Sequence, residues 1–233
     1  QLIAQGKVRY IAASNFSPER LRQAIKISEE NNLPSYCAVQ DLYNLVDRTP
    51  YESGMAQTVA DFGRLDGCIA NAGRSGTGTP FIEMTMKEWR AIMSVNLDSV
   101  FVTMREAAKV LVAQGTGGSL AAVSSTSAIH GAAGNEAYGT SKTAINGLVR
   151  ALAVGMARHQ IRVNSLVPGW TKTELAGPAF ANEKFRQVTT QRTPVRRWAE
   201  PSEFREVGVF LMDPSLTFHT GQDVVVDGGY TIF

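Results

Sequence analysis

Three side chains stand out for the chemistry their spacing allows: Ser125, Tyr138 and Lys142. Tyr138 and Lys142 are four apart on a segment of helical period, so they share one face. A phenol titrates near ~10 and exchanges its proton reluctantly at neutral pH. A fixed ammonium beside it favours the phenolate, which suits proton transfer to or from a substrate oxygen. Ser125 follows a strand-like run, where a parallel sheet places its ligands, and its hydroxyl can reach the same oxygen. Asn96, a polar residue inside a helical pattern, could anchor a water relay. Each residue also has a plain structural reading. Tyr–Lys pairs at this spacing arise by chance, Ser125 suits a turn, and Asn96 suits a bent helix.

The elements that must position these groups alternate between short apolar runs and longer helical patterns, the mark of βα units and a parallel sheet. Strands are expected at Val8–Ala13, Tyr36–Gln40, Gly67–Asn71, Ser119–Val123, Val163–Val167 and Val224–Val226. Ser17-Pro18-Glu19 reads as a helix start, with Ser at the N-cap, Pro at N1 and a carboxylate in the first turn. Leu21, Ala24, Ile25 and Ser28 then fall on one face, and Asn31-Asn32 with Pro34 stop the helix. Further helices are expected at Met55–Phe62, Met86–Ala113, Asn135–Arg158 and Pro201–Met212. In the first long helix the apolar residues keep a spacing of three or four, except for the single step from Ile92 to Met93. The stretch Thr171–Glu200 is polar, holds Pro178 and Pro194, and shows only patchy helical period. A segment of that length reads as a lid or binding loop.

Composition narrows the function classes. The chain has 233 residues, 44% hydrophobic and 19% charged, with a formal charge of +2. That charge, with no basic run, argues against nucleic acid or a membrane surface as partner. Cys37 and Cys68 each lie in an apolar run and read as buried strand thiols of a reducing compartment. The three His and two Cys are not clustered, so no metal site is expected. No apolar stretch of about 18 residues and no signal-peptide pattern occur. The expectation is a soluble cytoplasmic protein.

From Ser53 to Phe233 the chain resembles a short-chain dehydrogenase/reductase. The resemblance rests on Asn71-Ala72-Gly73 after a strand, Asn96, Ser125 thirteen residues before Tyr138, and Tyr138-Gly139-Thr140-Ser141-Lys142 as Y-x-x-x-K. Pro168-Gly169-Trp170-Thr171-Lys172-Thr173 as P-G-x-x-x-T and Asp227-Gly228-Gly229 complete it. It implies an oxidoreductase that interconverts a ketone and a secondary alcohol with NAD or NADP. Tyr138 would be the general acid or base, Lys142 would lower its pKa and hold the nicotinamide ribose, and Ser125 would orient the substrate oxygen. Asn96 would hold the relay water. Asn71, Ala72, Gly73, Pro168, Gly169, Thr171 and Thr173 would flank the cofactor, with residues 171–200 as the substrate lid. The two long helices would form the face of a homodimer or homotetramer.

That family opens with T-G-x-x-x-G-x-G, whose glycines let the backbone approach a pyrophosphate at a helix start. Here no glycine lies between Lys7 and Ser53. Residues 1–52 instead resemble a βαβ segment of an aldo-keto reductase, a TIM-barrel family, through Gln5-Gly6-Lys7-Val8-Arg9-Tyr10-Ile11, Ser14-Asn15-Phe16-Ser17-Pro18-Glu19, Val39-Gln40 and Tyr43-Asn44. In those barrels the matches of Ser14, Asn15 and Gln40 bind the carboxamide. The expectation is therefore a chimera joined near residue 52. It would form one α/β domain over 1–233, with a Rossmann-like or flavodoxin-like three-layer sandwich and a parallel sheet of about six strands in the order 2-1-3-4-5-6. Cofactor binding is expected to be weak or lost, and Asp41 is either a ribose ligand favouring NAD or a solvated loop carboxylate. A folded but inactive engineered chimera, a de novo protein in that sense, is the alternative to an active enzyme.

Overall fold

The structure, a computed structural model, describes residues 11–14, 18–40, 63–131 and 133–233, together with Ile3 and Gln5; for residues 11–14, 18 and 37–40 it describes the backbone. Two compact units divide the chain, Gln1–Arg64 and Leu65–Phe233. In the first unit, β1 (Ile11–Ser14) pairs in parallel with β2 (Tyr36–Gln40) across α1 (Pro18–Glu30). Helix α1 buries Leu21 and Ser28, and the Ser28 hydroxyl donates to the Ala24 carbonyl at 3.0 Å. Asn32 then takes a left-handed conformation, φ 51°, and ends the helix as its position in the sequence suggests. The expected helix at 55–62 and Asp41 lie outside the described residues.

The second unit is a four-stranded parallel sheet in the order β3-β4-β5-β6, formed by Gly67–Ala70, Gly118–Val123, Ile161–Pro168 and Asp223–Val226. Within each unit these are the neighbours that the order 2-1-3-4-5-6 requires. The fold class is α/β with a parallel sheet, as expected. On one face lie α2 (Met86–Met93), α3 (Ser99–Gln114) and α4 (Glu136–Met156). Val100, Met104, Ala107 and Leu111 of α3 meet Ile145, Val149 and Ala153 of α4 over Leu120, Ala122, Ile161 and Val163. The spacings of four and three in α3, and of four in α4, put those residues on the sheet-facing stripe.

Beyond the lid helices α5 (Gly177–Ala181) and α6 (Glu183–Arg192), α7 (Arg205–Met212) covers the opposite face, with Leu211 packed on Ala121 and Leu166. Arg162, buried in β5, donates to the carbonyls of Leu211 and Asp213 at 3.0 and 2.9 Å. It thereby supplies donors to carbonyls that a helix C-terminus leaves unpaired, and its charge complements the dipole there.

Two elements differ from the sequence pattern. The helix expected from residue 86 is broken at Ser94–Asp98 by a π turn, which inserts one residue and brings Asn96 to full burial. The irregular Ile92–Met93 step in the apolar spacing lies just before this insertion. The polar lid stretch is helical, because the Asn182 side chain caps α6 by accepting from the Phe185 N–H at 3.0 Å. Its short helices rest on buried Trp198 rather than on a continuous apolar stripe of their own.

Leu111 is fully buried at the centre of the larger core. Leu111→Ala is expected to cost about 2–5 kcal/mol of stability, read as a lowered urea midpoint at unchanged slope.

Candidate active site

The site lies at the carboxyl ends of β3, β4 and β5. Val123 ends β4, and its carbonyl accepts from the Lys142 ammonium at 2.8 Å. Lys142 is only 3% exposed, and burial pushes its pKa down to about 8. The next residue, Ser124, donates its hydroxyl to the Lys142 carbonyl at 2.9 Å, so strand end and helix are stitched at adjacent residues. Ser125 adopts an extended conformation as the cap of a short 3-10 turn, its hydroxyl accepting from the Ser127 N–H at 3.1 Å. The same hydroxyl faces the phenol of Tyr138.

Tyr138 is half-buried on α4, one turn before Lys142, whose Nζ lies 5.6 Å from the ring centroid. Burial pushes the phenol pKa up, and the hydrogen bond with Ser125 pulls it part of the way back. Lys142 was expected to lower that pKa; here it directs its bond to Val123. In this arrangement desolvation opposes the charged form of both groups.

Asn96 is brought to the same place by the π turn. Its Oδ1 accepts from the Arg74 N–H at 2.8 Å, and its Nδ2 donates to the Arg74 carbonyl at 3.0 Å and to the Ser141 hydroxyl at 3.1 Å. Ser141 in turn donates to the Tyr138 carbonyl at 2.7 Å. Asn96 therefore ties the loop after β3 to the helix that carries Tyr138. Ser141 is the residue that sequence reasoning passed over, since it reads as a spacer inside Y-x-x-x-K. Its position three residues after Tyr138 is the signal that could have found it.

Asn71, Ala72 and Gly73 leave the end of β3 on an exposed loop. A Cβ at Gly73 would stand 3.4 Å from the Lys142 ammonium and 3.6 Å from Asn96 Oδ1, so glycine keeps the approach to both open. Pro168 closes β5. Gly169 is pressed against the end of β6, where a Cβ would come within 2.7 Å of Asp227 Cα. Thr171 donates its hydroxyl to the Gly169 carbonyl at 3.0 Å, and Thr173 is exposed at the start of the lid.

The lid's two ends are clamped to each other. Thr171 bridges Ala199, and Trp170 stacks on Trp198 with centroids 4.9 Å apart. The Trp198 indole donates to the Thr189 hydroxyl at 2.9 Å, and Phe180 and Phe185 pack edge-on against the two indoles.

The residues fit a nicotinamide riboside. Lys142 uses one of its three N–H donors on the protein, and Gly73 leaves space in front of it. Residues 15–17, between β1 and α1, lie outside the described residues. Among the described residues no group of three or more His, Cys, Asp or Glu could hold a metal ion, and no helix is long and apolar enough to cross a membrane.

Comparison with known proteins extends these findings to the whole chain. Residues 11–231 match a family model described as enoyl-(acyl carrier protein) reductase. A gluconate 5-dehydrogenase of Gluconobacter oxydans is 29% identical over 233 residues, 99% of this chain and 89% of its own. A 3-oxoacyl-(acyl-carrier-protein) reductase of Thermotoga maritima is 30% identical over 222 residues, 95% of this chain and 87% of its own. The crystal structure of a gluconate 5-dehydrogenase from Burkholderia cenocepacia, in complex with NADP and tartrate, aligns with a TM-score of 0.81 at 25% identity. It covers 99% of this chain and 90% of that one.

These matches correct the reading of residues 1–52. The family match begins at residue 11 and takes in β1, α1 and β2, so one family accounts for the stretch assigned to an aldo-keto reductase barrel. A splice near residue 52, and an engineered or de novo origin, are not supported. The expectation of weak or lost cofactor binding rested on the absent glycine-rich turn, and these matches do not support it.

Two expected outcomes follow. Between about pH 8 and 10 the unfolded chain retains the Lys142 proton that the folded chain has released, so stability rises with pH over that window. Tyr138, whose raised pKa acts in the opposite sense, limits the gain above about pH 10. Relative to Lys142→Met, the wild type should gain about 2 kcal/mol between these pH values, measured by urea unfolding. Gly169→Ala should cost about 1–3 kcal/mol in the same assay, because the added methyl overlaps Asp227.

Proposed function

The chain belongs to the short-chain dehydrogenase/reductase family, and from that premise we propose that it is a nicotinamide-dependent oxidoreductase interconverting a ketone and a secondary alcohol. The observation that carries the reading is the Ser125–Tyr138–Lys142 cluster at the carboxyl end of the sheet, with a phenol, a hydroxyl and a buried ammonium in one place. In the reducing direction Tyr138 gives its phenolic proton to the substrate oxygen, and Ser125 donates a hydrogen bond to the same oxygen. Lys142 and the Gly73 loop would hold a reduced nicotinamide, which would supply the hydride when bound. Charge then left on Tyr138 is stabilised by the ammonium of Lys142, which remains largely protonated at pH 7 with a pKa of about 8.

The remaining roles follow from position. Lys142 would hold the ribose hydroxyls with its remaining N–H groups, and the loop Asn71–Gly73 with Pro168, Gly169, Thr171 and Thr173 would border the nicotinamide. Asn96 holds that loop in register with Tyr138 and borders the proton relay. The chain acts as a dimer through α3 and α4, whose outer faces form an apolar groove lined by Phe101, Ala108, Val112, Leu152 and Met156. A small ketone is the expected substrate. The names of the gluconate 5-dehydrogenases make 5-ketogluconate the first ketone to assay.

Titration of NADH and NADPH by fluorescence should show micromolar binding; no binding at millimolar cofactor would overturn the proposal. Tyr138→Phe should retain cofactor binding and lower kcat for ketone reduction by about 100-fold or more, measured as NADPH consumption.

A further inference from the structure

Three side chains from three separate connections meet around one aromatic ring. His130 follows Ser125 by five residues, its backbone N–H held by the Thr126 carbonyl at 3.0 Å. Its ring meets Tyr230 edge-on, with centroids 5.5 Å apart at 82°. The Arg192 guanidinium lies 4.5 Å from the centroid of the same Tyr230 ring. His130 is in the connection that leaves β4, Arg192 ends the lid helix that follows β5, and Tyr230 follows β6. All three connections start at carboxyl ends of parallel strands, the side of the sheet where Tyr138 sits and where such sheets bind ligands.

The arrangement is braced from behind. The Asp227 carboxylate accepts from the N–H groups of Gly229 and Thr231 at 2.9 and 2.7 Å. Gly228 and Gly229 back onto Thr193, Pro194 and Val195, and the Val195 N–H donates to the Gly228 carbonyl at 3.3 Å. Tyr230 is thereby held at the end of α6, against Arg192.

His130 Nε2 is buried with no hydrogen-bond partner, and Arg192 has no ion pair among the described residues. A buried polar atom left unmatched costs about 1–3 kcal/mol, so such an atom beside a ligand site points to a group the ligand brings. The lid as a whole is cationic. Residues 171–200 hold six Lys and Arg against three Glu, a net +3, where the entire chain carries +2. An imidazole and a guanidinium on one aromatic ring suit a planar carboxylate, which accepts from both, whereas a neutral hydroxyl would leave the arginine charge unmatched.

We infer that His130 and Arg192, spaced by Tyr230, hold a carboxylate at the end of the substrate away from the reacting carbon, so that the substrate is a small keto or hydroxy acid. This assignment rests on the oxidoreductase reading. It makes His130 and Arg192 the residues that select an acid over the neutral ketone of the same skeleton.

The test titrates two ligands calorimetrically into the NADP+-saturated protein: 5-ketogluconate and L-sorbose, which carries CH2OH in place of the carboxylate. The wild type should bind the acid about tenfold tighter. Arg192→Gln and His130→Gln should bring that ratio towards one, while Lys184→Gln, which removes the same charge elsewhere on the lid helix, should keep it. A wild-type ratio near one, or an equal loss from Arg192→Gln and Lys184→Gln, would overturn the inference. Arg192 is exposed, so its variant stays informative if the His130 variant fails to fold. Absence of NADP+ binding in the wild type would sink the oxidoreductase reading instead; the same ratio on the cofactor-free protein then decides this one.

Discussion

The ammonium of Lys142 is buried at the end of β4 with the Val123 carbonyl as its one acceptor among the described residues. Removing a cation from water costs several kcal/mol unless its donors are matched, so its surroundings must hold it closely. Much of the neighbouring structure does that. Ser124 fixes the Lys142 backbone to the strand end, Ser141 ties the preceding turn, and Asn96 anchors the loop after β3. The π turn at Ser94–Asp98 costs helix regularity and puts Asn96 where those bonds can form.

The sheet extends this local constraint to the rest of the unit. Because β3 to β6 run parallel, the loops that follow them emerge on one side: the Gly73 approach, the Ser125 turn, the Gly169 bend and the Asp227 turn. The helices α3 and α4 on one face and α7 on the other supply the apolar burial that keeps those strand ends in register. The lid is held differently. Its ends are joined by a β-bridge and two stacked indoles, so residues 171–199 form a closed excursion anchored at the site.

The N-terminal stretch shows how far a local motif can be trusted. A strand, an N-capped helix and a second parallel strand are the same physical object in a barrel and in an open sheet. Motifs within residues 1–52 therefore do not by themselves distinguish the two. The missing glycines are a fact of the sequence, yet a family match that starts at residue 11 runs through the stretch, and a foreign segment is not supported.

Much of the molecule was legible in the residue order. Continuous apolar runs placed the described strands, since β4 and β5 are buried on both faces, and apolar spacing of three to four placed the two long helices. The chemistry of Tyr138 and Lys142 was legible because four residues of helix fix their shared face. What only the tertiary structure decided are the contacts between segments distant in sequence. The clamp of Asn96 on Arg74 and Ser141, the stacking of Trp170 on Trp198, and the meeting of His130, Arg192 and Tyr230 all depend on three-dimensional approach. So does the balance of pKa shifts at Tyr138 and Lys142, since residue spacing sets which charges are near but only packing sets how much water is excluded from them.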